Sequence, residues 1–245
     1  MIAYSSVVKM VVASAVNDNG DQLYPRQWNH DFVGIPVLDQ TKQRRPTVTA
    51  SQIQQLLGSV KERYSVLFAL LAGSGLRIGE ALGLKTTDLL DDCAVINVQR
   101  SVWRGQEQIP KTPNAVRLVD LAAPLAKLLR DYTTGKSGYV FSTRDGKPLL
   151  QRNVLRVLYR GLPEKVCGLH TFRRFRTAQL RKERVPEDLI KFWLGHARNL
   201  TDNYASQLRE DVGFRQHWAE SAGLGYSIVS MWSRNVVNID AAKVA

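Results

Sequence analysis

The pattern of apolar and polar positions predicts a packed body from about Thr47 onward. Thr49-Ala50-Ser51-Gln52 is a capping-box pattern, in which a hydroxyl and a carboxamide three residues on each satisfy an N–H at a helix start. It opens a helix through about Leu57. Arg63 to Ala72 carries apolar residues at helical spacing and predicts a second helix. Ser74-Gly75 ends that helix, and Leu76 to Leu84 restarts as a short one. The period then changes. Ala94-Val95-Ile96-Asn97-Val98, Ser101-Val102-Trp103 and Val116-Arg117-Leu118-Val119-Asp120 read as three strands. From Ala123 the pattern is mostly helical, with Tyr139-Val140-Phe141 as a brief extended exception. The expected fold class is mainly α with a small antiparallel β-sheet. No internal repeat or low-complexity segment interrupts it.

Residues 1–46 differ in character. Ser5 to Val16 is apolar and weakly amphipathic, as in a single helix, and Asn17-Asp18-Asn19-Gly20 breaks it with turn chemistry. Scattered Pro25, Gly34 and Pro36 follow, then a basic run, Lys42-Gln43-Arg44-Arg45. One helix cannot bury a core alone, so this part reads as the tail of a domain whose front is missing, or as an arm on the main body. The chain parses into residues 1–46, a body at 47–222 and a C-terminal tail at 223–245.

Apolar residues make up 44% of the 245, enough to bury a core, and 23% charged residues is ordinary. The net charge of +12 is not ordinary and points to a polyanionic partner, of which nucleic acid is the usual one. The charge is also concentrated. Between residues 151 and 200, 12 basic residues face 4 acidic ones, a local excess of +8 that fits a phosphate footprint. The two cysteines, Cys93 and Cys167, form no C-x-x-C pair and so suggest no zinc site. No secretion signal is apparent, and no stretch nears the ~18 apolar residues of a membrane span. The expectation is a reducing, cytoplasmic protein without membrane partners.

Five short patterns can carry chemistry. In Gly75-Leu76-Arg77-Ile78-Gly79-Glu80 an arginine follows a helix break, and Glu80 lies one turn later on the same face, where its carboxylate can hold the guanidinium in one orientation. Pro110-Lys111-Thr112-Pro113-Asn114 puts a lysine between two strands, at a hairpin tip able to bring an ammonium to a leaving oxygen. In His170-Thr171-Phe172-Arg173-Arg174-Phe175-Arg176 the helical period gathers His170, Arg173, Arg174 and Arg181 on one face and turns Phe172 and Phe175 toward a core. A face with imidazole and guanidinium but no acid needs an anion opposite it. Pro186 to Gly195 reads as a helix with acids in its first turn, an inward Leu189-Trp193-Leu194 stripe and a glycine C-cap; His196 follows the stop. Tyr204, in Thr201-Asp202-Asn203-Tyr204, comes eight residues after His196.

In this order the pieces resemble the tyrosine recombinase, or phage integrase, family over roughly residues 47–222. Arg77 and Glu80 match its G-L-R-x-x-E, and Lys111 with Arg117 its hairpin K-T-x-x-x-x-R. His170 and Arg173 match H-x-x-R, Leu194-Gly195-His196 matches L-G-H, and Tyr204 matches the nucleophile. Two positions depart from the pattern. Tyr204 stands one residue closer to His196 than the family spacing leads one to expect, and Phe172 replaces a common leucine. Residues 1–46 resemble the end of the family's core-binding domain and its linker.

The resemblance implies a site-specific DNA recombinase that cleaves and rejoins strands through a 3′-phosphotyrosyl intermediate. It assigns Arg77, Lys111, His170, Arg173, His196 and Tyr204 as catalytic residues, with Glu80 supporting Arg77. Arg174, Arg176, Arg181, Lys42, Arg44 and Arg45 are the expected DNA contacts. It also implies double-stranded DNA as partner, a homotetramer on paired sites, a nucleoid-associated location and no cofactor. The sequence carries no phosphate-binding loop motif and no carboxylate cluster suited to two metal ions. A type IB topoisomerase-like nicking-closing enzyme and a truncated, non-recombining DNA-binding remnant of an integrase are the alternatives.

Overall fold

The computed structural model describes residues 2–24, 46–108, 116–162, 168–195 and 210–228. The chain forms two compact units, Met1–Arg45 and Pro46–Ala245. In the first, helix α1 (Ile2–Ala13) begins and ends three residues before the stretch the apolar run outlines. The Asn17 side chain accepts the backbone N–H groups of Asn19 and Asp21 at 3.0 and 2.9 Å, a local alternative to helical bonding that turns the chain. Lys42, Arg44 and Arg45 lie outside the described residues.

The second unit is built on a buried helix. Helix α2 (Ala50–Ser59) starts at the expected capping box: the Thr49 hydroxyl accepts the Gln52 N–H, and the Gln52 carboxamide accepts the Thr49 N–H at 2.9 Å. Helix α3 (Glu62–Ser74) is buried at every position from Ser65 to Ser74, so it shows no polar face and runs through the core. Gly75 ends it in the left-handed region, φ 72°, where a side chain would be strained. Helix α4 (Ile78–Gly83) follows.

Among the described residues five strands come next: β1 (Leu89–Leu90), β2 (Val95–Val98), β3 (Ser101–Trp103), β4 (Gln106–Gln108) and β5 (Arg117–Asp120). They make two antiparallel sheets, one ordered β1-β2-β5 and one pairing β3 with β4. In the first sheet Val95 lies opposite Asp120 and Val98 opposite Arg117, which fixes where β5's two charged ends sit. The sequence pattern reveals β2, β3 and β5 but omits two strands. β1 has only two residues, and all three of β4 are exposed, so neither has an alternation to read.

Among the described residues, helices α5 (Ala123–Thr133), α6 (Gln151–Gly161), α7 (Thr171–Lys182), α8 (Glu187–Leu194) and α9 (Val212–Ala222) follow. Phe172 of α7 stacks on Phe68 of α3, ring centroids 5.4 Å apart, and anchors α7 against the central helix. The packed body extends past the expected boundary at residue 222. Leu224 is buried, and the Tyr226 hydroxyl donates to the Ala69 carbonyl at 2.6 Å. Residues 223–228 therefore belong to the body rather than to a tail. Among the described residues no helix is long and apolar enough to cross a membrane.

Candidate active site

Glu80 is the organising acid. Its carboxylate accepts the Arg77 backbone N–H at 2.8 Å and the Arg77 side chain at 2.9 Å, as the spacing predicts. From the opposite side Arg117 makes a two-pronged contact, Nη1 to Oε1 at 3.2 Å and Nη2 to Oε2 at 2.9 Å. Burial pushes the Glu80 carboxyl up, but the hydrogen bonds and charges of Arg117 and then Arg77 outweigh it and hold the group below the usual carboxylate range. Glu80 is thus a fixed anion between two guanidiniums.

A second set of contacts fixes the end of α8. The last four carbonyls of a helix have no partner within it. Here the Gly195 N–H, in the left-handed region at φ 62°, serves Lys191 and Phe192. Arg117 Nε donates to the Trp193 carbonyl at 2.7 Å, and Arg173 Nη2 donates to that of Leu194. Cations also suit the negative end of the helix dipole. Arg173 Nη1 reaches the Gly75 carbonyl at 2.9 Å, so one guanidinium joins the glycine-capped ends of α3 and α8.

These contacts place the predicted residues as follows. Arg77 and His170 line a cleft of about 720 Å³, together with Glu80, Arg100, Trp103 and Gly195. Arg173 lies behind that lining, only 4% exposed. Burial and then the charge of Arg77 pull its pKa down to about 10, so it stays cationic at neutral pH. Two bonds to carbonyls leave three of its five N–H donors uncommitted by that pair. His170 occupies the cap position before α7. Partial burial, then the charges of Arg173, Arg174 and Arg77, pull its imidazole below its ordinary range and favour the neutral form. Arg77, His170 and Arg173 are therefore electrostatic neighbours, although nearly a hundred residues separate the first from the others. Lys111, His196 and Tyr204 lie outside the described residues.

The expected basic face of α7 divides. Arg173 turns inward, Arg174 Nη1 donates to the Pro46 carbonyl at 2.7 Å, and Arg181 is exposed. Arg176 is not a DNA-facing residue. It is 2% exposed, donates to the Gly223 carbonyl, and burial draws its pKa down to about 10. The helical period assigns a face to the Cα–Cβ bond, but the four-bond arginine stem then bends to whichever acceptor lies nearby. The sequence reading also passes over Asp120 and Arg215, which join Trp193 in a buried network. A signal for Arg215 exists: it lies on one stripe with Ala219 and Ala222, so it sits on the inward face of α9.

A family model described as the phage integrase family matches residues 46–210. A tyrosine recombinase XerC-like protein of Caldanaerobacter subterraneus is 28% identical over 186 residues, covering 62% of this chain and 47% of the relative. A tyrosine recombinase XerC of Neisseria meningitidis is 33% identical over 108 residues, covering 44% of this chain and 33% of the relative. The chain thus spans about half the length of the first curated relative and a third of the second. Among solved structures, XerH site-specific recombinase bound to palindromic difH substrate superposes with a TM-score of 0.58 at 17% identity, covering 85% of this chain and 62% of that one. The Tn1549 transposon integrase in complex with transposon right end DNA gives 0.57 at 17% identity, covering 79% and 73%. These likenesses establish the fold, mainly helical with small antiparallel sheets. With the family model covering most of the packed body and the motif residues Arg77, His170 and Arg173 brought close to one another, the chain belongs to the phage integrase family of tyrosine recombinases.

Proposed function

We propose that this chain is the strand-cutting and strand-joining part of a site-specific recombinase. One observation carries the reading: Arg77 meets His170 and Arg173, nearly a hundred residues further along the chain, close to Gly195, the residue before His196. A phosphodiester under attack gathers negative charge on its non-bridging oxygens, and guanidiniums held in place beforehand stabilise that charge without reorganising. Arg77 and Arg173 take that role, with His170 and His196 as further donors.

The Tyr204 phenol, whose pKa is ordinarily near ~10, must lose its proton as it attacks phosphorus. His170, neutral in this setting, accepts the proton. The bond from phosphorus to the 5′ oxygen breaks, Lys111 protonates that oxygen, and a 3′-phosphotyrosyl bond replaces the one lost. A 5′-hydroxyl of a second strand reverses the steps. One phosphoester bond is exchanged for another, so no energy source is consumed. Double-stranded DNA is the substrate, and exchange between two duplexes calls for a tetramer acting at the nucleoid. Arg174, Arg181, Lys42, Arg44 and Arg45 are proposed backbone contacts, and residues 1–46 are proposed to belong to a core-binding domain and its linker.

A nicked duplex that lets the short 5′ fragment diffuse away tests this directly. In EDTA the protein forms a covalent adduct with such a substrate, and Tyr204→Phe abolishes it with DNA affinity nearly unchanged. An adduct that persists in Tyr204→Phe removes Tyr204 as the nucleophile, and one that requires a divalent cation removes the mechanism.

A further inference from the structure

Asp120, at the end of β5, is 2% exposed, and a single oxygen of its carboxylate takes two buried donors. Trp193 Nε1 of α8 donates to Oδ2 at 2.8 Å, and Arg215 Nε of α9 donates to the same oxygen at 2.9 Å. Trp193 and Arg215 are buried as well. The other oxygen, Oδ1, is buried and has no hydrogen-bond partner among the described residues. Three residues earlier on the same strand, Arg117 Nε holds the Trp193 carbonyl at 2.7 Å. Strand β5 therefore grips Trp193 twice, by its backbone and by its indole, and grips α9 once.

The placement of these contacts along the chain gives them a consequence. Trp193 lies three residues before His196, and Arg215 lies eleven residues after Tyr204. The segment bearing both residues leaves β5's grip at one end and returns to it at the other. Shortening the distance a connecting segment must span, and fixing both ends, reduces the conformations available to it. A buried charge pair is an expensive way to gain stability, since a well-packed apolar set of similar volume often does as well. What it supplies instead is a fixed distance and direction between three elements.

We infer that Asp120 is a positioning residue: by binding Trp193 and Arg215 through one oxygen it ties α8 and α9 to β5 and so sets both ends of the segment that carries His196 and Tyr204. The catalytic half of this inference rests on the recombinase reading above, while the clamp itself does not. Its charge matters at Arg215 and only its acceptor oxygen matters at Trp193, so substitutions at the two partners have different consequences.

The test uses the whole chain with Arg215→Met, Arg215→Lys, Trp193→Phe and Asp120→Asn. Two readouts are taken: the single-turnover rate of adduct formation at saturating nicked duplex, beside the DNA dissociation constant, and the rate of tryptic cleavage after Arg198 and Arg209 with and without the duplex. Arg215→Met is expected to cut the adduct rate at least ten-fold with DNA affinity within two-fold, and to speed cleavage at both arginines several-fold. Arg215→Lys, which keeps the charge, is expected to recover most of the rate, and Trp193→Phe to fall between them. Equal losses in Arg215→Met and Arg215→Lys would overturn the charge-mediated clamp, as would unchanged tryptic rates in Arg215→Met and Asp120→Asn. If Asp120→Asn does not fold, the Arg215 pair decides alone. If the unsubstituted chain forms no adduct, the recombinase reading fails, and the tryptic rates still judge the clamp.

Discussion

Two guanidiniums share the Glu80 carboxylate but sit in different surroundings. Arg117, packed on Glu80 behind the cleft lining and so under its floor, has a side chain 1% exposed, while that of Arg77, in the lining, is 45% exposed. On that side the guanidiniums hold the protein itself, among other contacts Arg117 with Glu80 and Trp193 and Arg173 with Gly75 and Leu194. At the mouth, Arg77 and His170 keep an open side toward the cleft. The same residue type thus does two jobs. Arg117 shapes the site from behind, Arg77 lies open to what enters it, and Arg173, buried but with N–H donors to spare, stands between the two. A high count of arginines in a stretch of sequence does not distinguish these jobs.

The largest effect that tests this division is on stability. Arg117→Met leaves Glu80 with one exposed partner and takes the donor from the Trp193 carbonyl. Removing one member of a buried ion pair costs about 3–5 kcal/mol. Urea unfolding should show a loss of this order, and a loss under 1 kcal/mol would mean that the floor is not held by this pair. The pH dependence has a definite sign. Glu80's folded-state pKa is depressed, so its contribution is present above the ordinary carboxylate range and disappears as pH falls through the depressed value. Arg117→Met should therefore begin to unfold at higher pH than the parent protein.

Arg77→Ala should separate the two regions from the other side. An exposed ion pair is worth about 0–1 kcal/mol, so unfolding should barely change. Adduct formation should fall roughly 100-fold, as when one preorganised transition-state donor is lost. Unchanged cleavage in Arg77→Ala would place it with the solvated surface rather than in the site.

A smaller effect concerns His170, which receives charge from both regions. Its pKa is depressed by burial first and then by Arg173, Arg174 and Arg77, so the neutral base is lost only as pH falls below the ordinary histidine value of 6.5. The acid limb of the cleavage rate on free enzyme and DNA should have its midpoint below 6.5, and Arg174→Met should move it upward. A midpoint above 6.5, or one that ignores Arg174, would remove His170 from the role of proton acceptor.

What could be read in the sequence was local. The Thr49 capping box, the glycine stops at Gly75 and Gly195 and the Arg77–Glu80 pair are each settled by residues within one turn of each other. The arginines that turn inward could not be read this way. Arg117, Arg173, Arg176 and Arg215 find partners 21 to 98 residues away, and nothing nearby in sequence marks those acceptors. The period of α7 correctly placed Phe172 in the core but grouped Arg173 with Arg174 and Arg181, because a long flexible stem need not follow its Cβ. The motif order groups Arg77, His170 and Arg173, which the helical wheel cannot do, and the three lie close enough for their charges to act on one another.

The central claim is that this cleft directs a DNA phosphate onto one phenol. Peptide mapping by mass spectrometry of the adduct formed on a nicked duplex in EDTA addresses it most directly. The account predicts a single nucleotide-modified peptide, with the phosphoryl group on Tyr204 and the yield strongly reduced in Arg77→Ala. Modification of a different residue, or a Tyr204 adduct whose yield does not depend on Arg77, would contradict it.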